Sequence, residues 1–148
     1  MSRLPFKNSS KENTPLRKIV ANTPEILDSF KQMDEAIAKE LDSELMELTR
    51  VRVAVNNNCK YCKSLSLIDL DVRKRESILQ NNESMDLSER ENVALELVDH
   101  IMAYHGELSE ILFQKLKKNF TNEEIIALLF QIGQKNAGGW FNIAMKIG

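Results

Sequence analysis

Helix-start signals recur along this chain and constrain its fold more than any other feature. Ser88-Glu89-Arg90-Glu91 and Thr121-Asn122-Glu123-Glu124 both have the form of a capping box. Thr23-Pro24 places a capping residue before a proline at the first helical position. We find no alternating strand pattern and no short internal repeat. The sequence therefore predicts an all-α protein, a compact helical bundle.

Apolar residues at helical spacing follow each start signal. The expected stripes, one for each helix, are Ile26, Leu27, Phe30, Met33 and Ile37; Leu45, Leu48, Val51 and Val55; Leu65 and Ile68; Leu95, Val98, Ile101 and Met102; Leu108, Ile111, Leu112 and Leu116; and Ile125, Leu128, Leu129 and Ile132. Asp42 or Ser43 is expected to cap the second of these helices. Leu70 and Val72 are further candidates for the third stripe. Breaks are expected at Asn56-Asn57-Asn58, at residues 81–84 and near Gly106. Gly138-Gly139 is expected to bend or interrupt the last helix, or to let another backbone approach closely.

Length and composition limit the classes of protein to consider. A chain of 148 residues fits one domain, and we expect a flexible N-terminal arm over residues 1–15 and the domain over 16–148. A net charge of −2 without a long basic run disfavours a nucleic-acid partner. No apolar stretch approaches the roughly 20 residues that span a bilayer. The start of the chain lacks the apolar block of a signal peptide, so we expect a cytoplasmic protein.

The only two cysteines, Cys59 and Cys62, are three residues apart. A disulfide between them closes a very short loop and stabilises a fold little, so this pair is more plausible as a redox couple than as a structural clip. If Asn57 or Asn58 caps the next helix, Cys59 lies in its first turn. The helix N-terminus and the nearby Lys60 would then favour the thiolate form of Cys59.

Two alternatives for the cysteine pair need no redox chemistry. The cysteines could be two small buried apolar residues. They could also bind zinc together with His100 and His105, although the stretch between the pairs is far too long for a zinc finger. Residues five apart on one helix also point well away from each other, so we expect no metal site.

The segment from Glu47 to Cys62, ELTRVRVAVNNNCKYC, resembles the core motif of the alkylhydroperoxidase D-like, carboxymuconolactone decarboxylase family. That family has a Glu twelve positions before the first Cys, then an Arg-Val pair and an Asn-rich turn, which Glu47, Arg52-Val53 and Asn57-Asn58 match. The resemblance covers roughly residues 20–148. It also includes the Thr-Pro-Glu-Ile-Leu sequence before Phe30, Leu-Ser-Glu-Arg-Glu at 87–91 and Phe-Thr-Asn-Glu-Glu at 120–124.

The resemblance implies an antioxidant thiol peroxidase, or thiol–disulfide oxidoreductase, that reduces organic hydroperoxides. It implies that Cys62 is the attacking thiolate, Cys59 the resolving thiol and Glu47 a proton-relay carboxylate. It further implies an all-helical homo-oligomer, a trimer or a hexamer, without a metal or organic cofactor. A thioredoxin-like or a lipoyl-bearing protein would supply the electrons.

One position departs from the family pattern. The family has His four residues after the second Cys, and this chain has Ser66. A serine hydroxyl can hold a water, together with Glu47, but it does not titrate near neutral pH. Tyr61 is another candidate source of a hydroxyl. Two alternatives to a peroxidase therefore stay open. One is disulfide exchange or redox sensing by an oligomer without peroxidase turnover, and the other is a carboxymuconolactone decarboxylase-type lyase.

Several other residues have two plausible roles. Glu47 could instead pair with Arg50 or Arg52, and Arg52 on an apolar stripe indicates a buried ion pair, with Glu47 or across a subunit boundary. The face formed by Phe30, Met33 and Ile37 and the region of Trp140 are candidates for subunit contact. For Trp140 and Phe141 themselves, packing in the core is the favoured expectation.

Overall fold

The computed structural model describes residues 1–80 and 84–148, and this part of the chain contains eight helices and no strand. The helices are α1 (Pro15–Val20), α2 (Pro24–Ile37), α3 (Ser43–Asn56), α4 (Lys60–Ser64), α5 (Val72–Leu79), α6 (Glu89–Ala103), α7 (Glu110–Asn119) and α8 (Asn122–Ala144). The expected all-α helical bundle is confirmed. The loop expected at residues 81–84 lies, apart from Ser84, outside the described residues.

Most of the start signals read from the sequence cap the helices that they precede. Ser88 and Thr121 form reciprocal capping boxes with Glu91 and Glu124, and the Asp42 carboxylate accepts the Leu45 N–H at 2.8 Å. Thr23 occupies the N-cap position of α2, but its hydroxyl donates to the Val20 carbonyl instead of capping the helix.

Helix α3 lies at the centre of the bundle, packed against α6 and α8 and also against α4 and α5. Every residue from Glu47 to Ala54 is buried, so this helix has no solvent-facing side over two turns. The apolar stripe read from its sequence is therefore only one part of the buried surface. Because charged groups are costly to bury unpaired, Glu47, Arg50 and Arg52 must each find a partner inside the bundle.

The main core joins α2, α3, α6, α7 and α8. Its buried members include Ile37, Leu45, Val53, Leu97, Val98, Leu112, Leu116, Leu128 and Ile132. Ile37 belongs to this core, so its expected place in a subunit-contact face is wrong. Trp140 is 62% exposed, and the expected core role of its ring is wrong as well. Ile26 and Ile111, which were expected on inner stripes, are also exposed.

Helix α4 is much shorter than expected. It ends at Ser64, and Leu65 has extended backbone angles, so the expected single helix carrying Leu65 and Ile68 is wrong. Arginine side chains explain the early end: Arg50 donates to the Leu65 carbonyl, and Arg75 donates to the carbonyls of Lys63 and Leu65. These bonds satisfy carbonyls that a longer helix would have bonded internally.

The N-terminal arm and the double glycine both contact the rest of the fold. The backbone N–H groups of Arg3 and Lys7 donate to the carbonyls of Met145 and Lys18, respectively. The flexibility expected for the arm stays a prediction. Helix α8 continues through Gly138-Gly139 without the interruption considered above. A Cβ on Gly139 would lie 2.8 Å from the Asn57 side-chain nitrogen, so the close approach comes from a side chain and not from a backbone.

Within residues 1–80 and 84–148, no helix combines the length and apolar character needed to cross a bilayer.

Candidate active site

Cys59 and Cys62 are joined by a disulfide with their Cα atoms 5.2 Å apart. Cys59 is itself the N-cap residue of α4, one position after Asn58 and two after Asn57, the caps expected from the sequence. Its Sγ accepts the Cys62 N–H at 3.3 Å. Asn58 has a left-handed φ of 52°, which asparagine tolerates better than most residues. Because α4 has only five residues, its dipole is small, and the expected stabilisation of a Cys59 thiolate rests mainly on this one N–H bond.

The turn that carries the disulfide is attached to both α3 and α8. The Cys59 N–H donates to the Ala54 carbonyl at 3.0 Å. The Asn57 side-chain amide donates to the Asn136 side-chain oxygen at 2.8 Å, across the space that Gly139 leaves open. These contacts place the cysteines between the C-terminal end of α3 and the last turns of α8.

The two cysteines line different cavities. Cys62 lines a cavity of about 260 Å³ with an apolar wall that includes Leu16, Phe30 and Leu67. Cys59 lines a second opening of about 460 Å³, together with Lys60 of the same turn and with Ile143, Ile147 and Gly148 near the end of the chain. Both cysteines are mostly buried, with exposures of 3% for Cys59 and 8% for Cys62. The disulfide turn is therefore bordered by two separate cavities.

Asn142 lies directly against Cys62. Its Nδ2 donates to the Cys62 Sγ at 3.4 Å, and the side chain lines the same cavity. The Oδ1 of this amide is buried without a hydrogen-bond partner among the described residues. Sequence analysis missed Asn142, because the residue lies eighty positions after Cys62 and its only local signal is a polar side chain near the end of an apolar helix.

Glu47 is held in a two-pronged ion pair with Arg50. The Arg50 Nε and Nη2 lie 2.7 and 2.6 Å from the two Glu47 carboxylate oxygens, and both side chains are buried. Arg50 also donates to the carbonyls of Cys62, at 3.0 Å, and Leu65. Glu47 therefore reaches the cysteine turn through Arg50.

Arg52 has a different partner from the one considered in the sequence. Its Nε lies 3.1 Å from an Asp99 carboxylate oxygen, and its Nη1 donates to the Ile78 carbonyl. Arg52 is buried and ion-paired as expected, but its partner Asp99 is partly exposed, and the expected pairing of Arg52 with Glu47 is wrong. Burial raises the pKa of Asp99 above its ordinary value of 3.8, against the opposing effects of Asn56 and Arg52.

Ser66 lies two residues beyond the end of α4 and is exposed. It is absent from the described lining of the Cys62 cavity, whereas Cys62, Arg50 and Asn142 are all present there. The structure thus brings the two cysteines and the Glu47–Arg50 pair together and leaves Ser66 outside. A helix that continued past Ser64 would have been needed to turn position 66 back toward Cys62.

The two histidines are far from forming a site with the cysteines. His100 packs against the Tyr104 ring with centroids 4.8 Å apart, and His105 is exposed at the end of α6 with a φ of 55°. Neither imidazole appears in the described lining of the two cysteine cavities. In the part of the chain that the structure describes, no group of three or more His, Cys, Asp or Glu residues is arranged to hold a metal ion.

Charged and amide groups line the far side of the Cys62 cavity. Asp34 lies 2.6 Å from the Lys135 Nζ and 3.2 Å from the Arg17 Nη2. The Gln134 Nε2 donates to the Phe30 carbonyl at 2.9 Å. The lining of the cavity therefore combines apolar side chains with the paired charges of Arg17, Asp34 and Lys135.

Comparison of the sequence with known proteins gives distant relatives. No family model matches the chain. Two uncharacterized proteins, from the CDC 1551 / Oshkosh and H37Rv strains of Mycobacterium tuberculosis, are each 29% identical to it over 113 residues. The match covers 73% of this chain and 39% of each relative, so the chain spans about two-fifths of the length of these curated relatives.

Solved structures are more similar in fold than in sequence. A protein of unknown function from Agrobacterium tumefaciens, suggested to be the antioxidant defence protein AhpD, superposes with a TM-score of 0.73 at 19% identity, covering 87% of this chain and 93% of its own. The debrominase Bmp8 superposes with a TM-score of 0.72, at 18% identity in its apo form and 17% in a cysteine-to-alanine variant bound to 2,3,4-tribromopyrrole. Both Bmp8 alignments cover 88% of this chain and 74% of Bmp8.

Proposed function

We propose that this chain, which has an alkylhydroperoxidase D-like fold, is a thiol peroxidase that reduces organic hydroperoxides through Cys62 and Cys59. The observation that carries the proposal is the Cys59–Cys62 disulfide with Cys62 in the wall of a partly apolar cavity of about 260 Å³. A pair of neighbouring cysteines that has formed a disulfide is the product expected after one peroxide has been reduced.

In the proposed reaction, a dithiol reductant supplies the two electrons that reduce each peroxide. The Cys62 thiolate attacks the terminal oxygen of the hydroperoxide, the O–O bond breaks, and the organic part leaves as an alkoxide that takes a proton from water. Cys62 is thereby oxidised to a sulfenic acid. The Cys59 thiol then displaces water from that sulfur and forms the disulfide, which protects Cys62 from further oxidation.

The reductant would act at Cys59, which lines the opening on the other side of the disulfide. A thiolate of a thioredoxin-like or lipoyl-bearing protein attacks the Cys59 sulfur, releases Cys62 as a thiolate and forms a mixed disulfide with Cys59. The second thiol of the reductant then attacks its own sulfur in that bond, which releases Cys59 as a thiolate and leaves the reductant as a disulfide. In this proposal Cys62 meets the peroxide and Cys59 meets the reductant. A cytoplasmic location and a homo-oligomeric state, trimer or hexamer, belong to the same proposal.

Glu47 acts in this proposal as a positioning residue. Its carboxylate fixes Arg50, and Arg50 fixes the carbonyl of Cys62 itself. A direct role of Glu47 as proton relay and a role of Ser66 both stay predictions. Peroxidase rates of a Ser66→His variant that match those of the wild type would show that position 66 does not limit the reaction.

Disulfide exchange without peroxide reduction is the second candidate. The specific observation in its favour is that no imidazole belongs to the lining of the Cys62 cavity within residues 1–80 and 84–148. Exchange needs one sulfur that a partner thiolate can reach, but no separate acid to protonate an alkoxide.

Steady-state consumption of cumene hydroperoxide with dithiothreitol as reductant tests the proposal. Wild-type protein should turn over and Cys62→Ser should lose all turnover. Pre-reduced Cys59→Ser, freed of dithiothreitol, should react once with peroxide and accumulate sulfenic acid. Reduction of oxidised thioredoxin without peroxide consumption would favour the exchange function. Release of bromide from 2,3,4-tribromopyrrole without peroxide consumption would contradict the proposal and indicate chemistry like that of Bmp8.

A further inference from the structure

Asn142 combines two properties that a purely structural side chain would not need. It is 8% exposed, and its Nδ2 donates to the Cys62 Sγ at 3.4 Å. Its Oδ1, in the same amide, is buried beside the cavity without a hydrogen-bond partner among the described residues. An unsatisfied buried oxygen costs free energy. Because this acceptor lies beside the cavity, it can take a hydrogen-bond donor that enters there.

The position of Asn142 follows from the packing of α8 against the cysteine turn. Asn136, Gly139 and Asn142 are spaced three residues apart and therefore lie on neighbouring positions of one helix face. Asn136 bonds the Asn57 side chain, and Gly139 leaves room for that side chain. The same face thus holds the turn in place and presents the Asn142 amide to Cys62.

The donor half of the amide matters most when Cys62 is reduced. A disulfide sulfur is a weak acceptor, whereas a thiolate carries a full negative charge and makes a charge-assisted hydrogen bond. An N–H aimed at Cys62 therefore stabilises the thiolate relative to the thiol. In this chain, which has Ser66 where the imidazole was expected, Asn142 is a polar group in contact with the attacking sulfur.

We propose that Asn142 is a catalytic residue that holds the Cys62 thiolate through Nδ2 and binds the O–H of an incoming hydroperoxide through Oδ1. The inference rests on the proposed function. The hydroperoxide donates its hydrogen to Oδ1, and this bond holds the terminal oxygen near the sulfur because both polar atoms of the amide share one carbon. The thiolate attacks that oxygen, the O–O bond breaks, and the alkoxide takes its proton from water. The O–H of the new sulfenic acid can donate to the same Oδ1.

Gln131 provides a matched control on the same helix. It is fully buried, its Nε2 donates to the Met46 carbonyl at 3.0 Å, and its Oε1 also lacks a partner in the described part of the chain. It does not appear in the described lining of the Cys62 cavity. Gln131→Leu therefore removes a similar buried amide from α8 without touching the cysteine.

The test uses the full chain in a Cys59→Ser background, so that Cys62 alone reacts. Alkylation by iodoacetamide as a function of pH reports the thiolate of Cys62, and trapping of the sulfenic acid reports the rate with cumene hydroperoxide.

Loss of one charge-assisted hydrogen bond in Asn142→Leu should lower the rate of Cys62 alkylation at neutral pH about tenfold. The peroxide rate should fall further, because the acceptor is lost too. Gln131→Leu should match the background within about twofold.

Asn142→Asp keeps the acceptor and replaces the donor by a negative charge. It should move the pH midpoint of alkylation upward by more than Asn142→Leu does, because two negative charges would then be adjacent. This variant also serves if the leucine variant does not fold. An unchanged midpoint in both variants, or a changed midpoint with an unchanged peroxide rate, would overturn the inference. If the wild type fails to react with peroxide, the proposed function fails, while the alkylation midpoint still tests the bond from Asn142 to the thiolate.

Discussion

Arg50 and Arg52 are both buried on α3, only two residues apart, and they hold different parts of the molecule. Arg50 pairs with Glu47 on its own helix and binds the carbonyls of Cys62 and Leu65. Arg52 pairs with Asp99 on α6 and binds the carbonyl of Ile78 on α5. The first arginine fixes the cysteine turn, and the second fixes the packing of three helices.

The comparison teaches that burial of a charge does not by itself identify a functional residue. Both arginines satisfy the same physical requirement, since a buried guanidinium needs a carboxylate and further acceptors. They differ in the part of the molecule to which their acceptors belong. Arg50 is of functional interest because one of its acceptors is the backbone of Cys62.

Arg50→Met should have the largest effect on stability. The substitution leaves the Glu47 carboxylate, whose side chain is 2% exposed, without its partner. Breaking such a buried pair costs about 3 to 5 kcal/mol, so the free energy of unfolding in urea should fall by that amount. The reactivity of the Cys62 thiol should change as well, since its carbonyl loses a donor. A loss below about 1 kcal/mol would show that the pair contributes little.

Arg52→Met is the matched control and should cost less, about 2 to 3 kcal/mol, because water can reach the carboxylate that it leaves behind. The Asp99 side chain is 31% exposed, compared with 2% for Glu47. Alkylation of the reduced cysteines by iodoacetamide should proceed as in the wild type. If alkylation changes in Arg52→Met but not in Arg50→Met, the roles assigned to the two arginines would be reversed.

Glu47→Gln distinguishes a positioning residue from a proton relay. The glutamine keeps the shape of the side chain but removes the charge that pairs with Arg50, so a loss of about 2 kcal/mol in the free energy of unfolding is expected. If Glu47 acts through Arg50, the rate with cumene hydroperoxide and the stability should fall together. A reduced rate at unchanged stability would instead indicate a direct proton relay.

Titration of Asp99 should change the free energy of unfolding by the smallest amount, less than the loss expected for Arg52→Met. Burial raises the pKa of Asp99 in the folded state above 3.8, so the folded state binds the proton more tightly than the unfolded state. Stability contributed by this group therefore falls as pH rises from 3.8 to the raised pKa, and it is constant outside that interval.

Urea unfolding of the wild type and of Asp99→Asn across this interval checks the sign. The wild-type advantage over the variant should shrink as pH rises toward neutrality, because the variant cannot bind the proton. A constant difference, or an advantage that grows with pH, would mean that the ion pair with Arg52 outweighs burial at Asp99.

Features coded within one helical turn could be predicted from the sequence. The capping boxes at Ser88 and Thr121 depend on residues three apart, and the structure forms both. The Glu47–Arg50 pair has the same three-residue spacing and was among the alternatives. The left-handed Asn58 follows from the tolerance of asparagine for that backbone conformation.

Features that depend on distant residues could not be predicted. The end of α4 is set by Arg50 and Arg75, whose side chains bind carbonyls ten to fifteen positions away. Asn142 meets Cys62 only because α8 packs against the cysteine turn. The partner of Arg52 lies on α6, and periodicity within α3 carries no information about it.

The most direct test of the central claim is a count of free thiols before and after one equivalent of cumene hydroperoxide is added to the fully reduced protein. The account predicts that both thiols disappear together and return on treatment with dithiothreitol, and that Cys62→Ser keeps its single thiol. Two thiols that survive the peroxide, in folded wild-type protein, would contradict it.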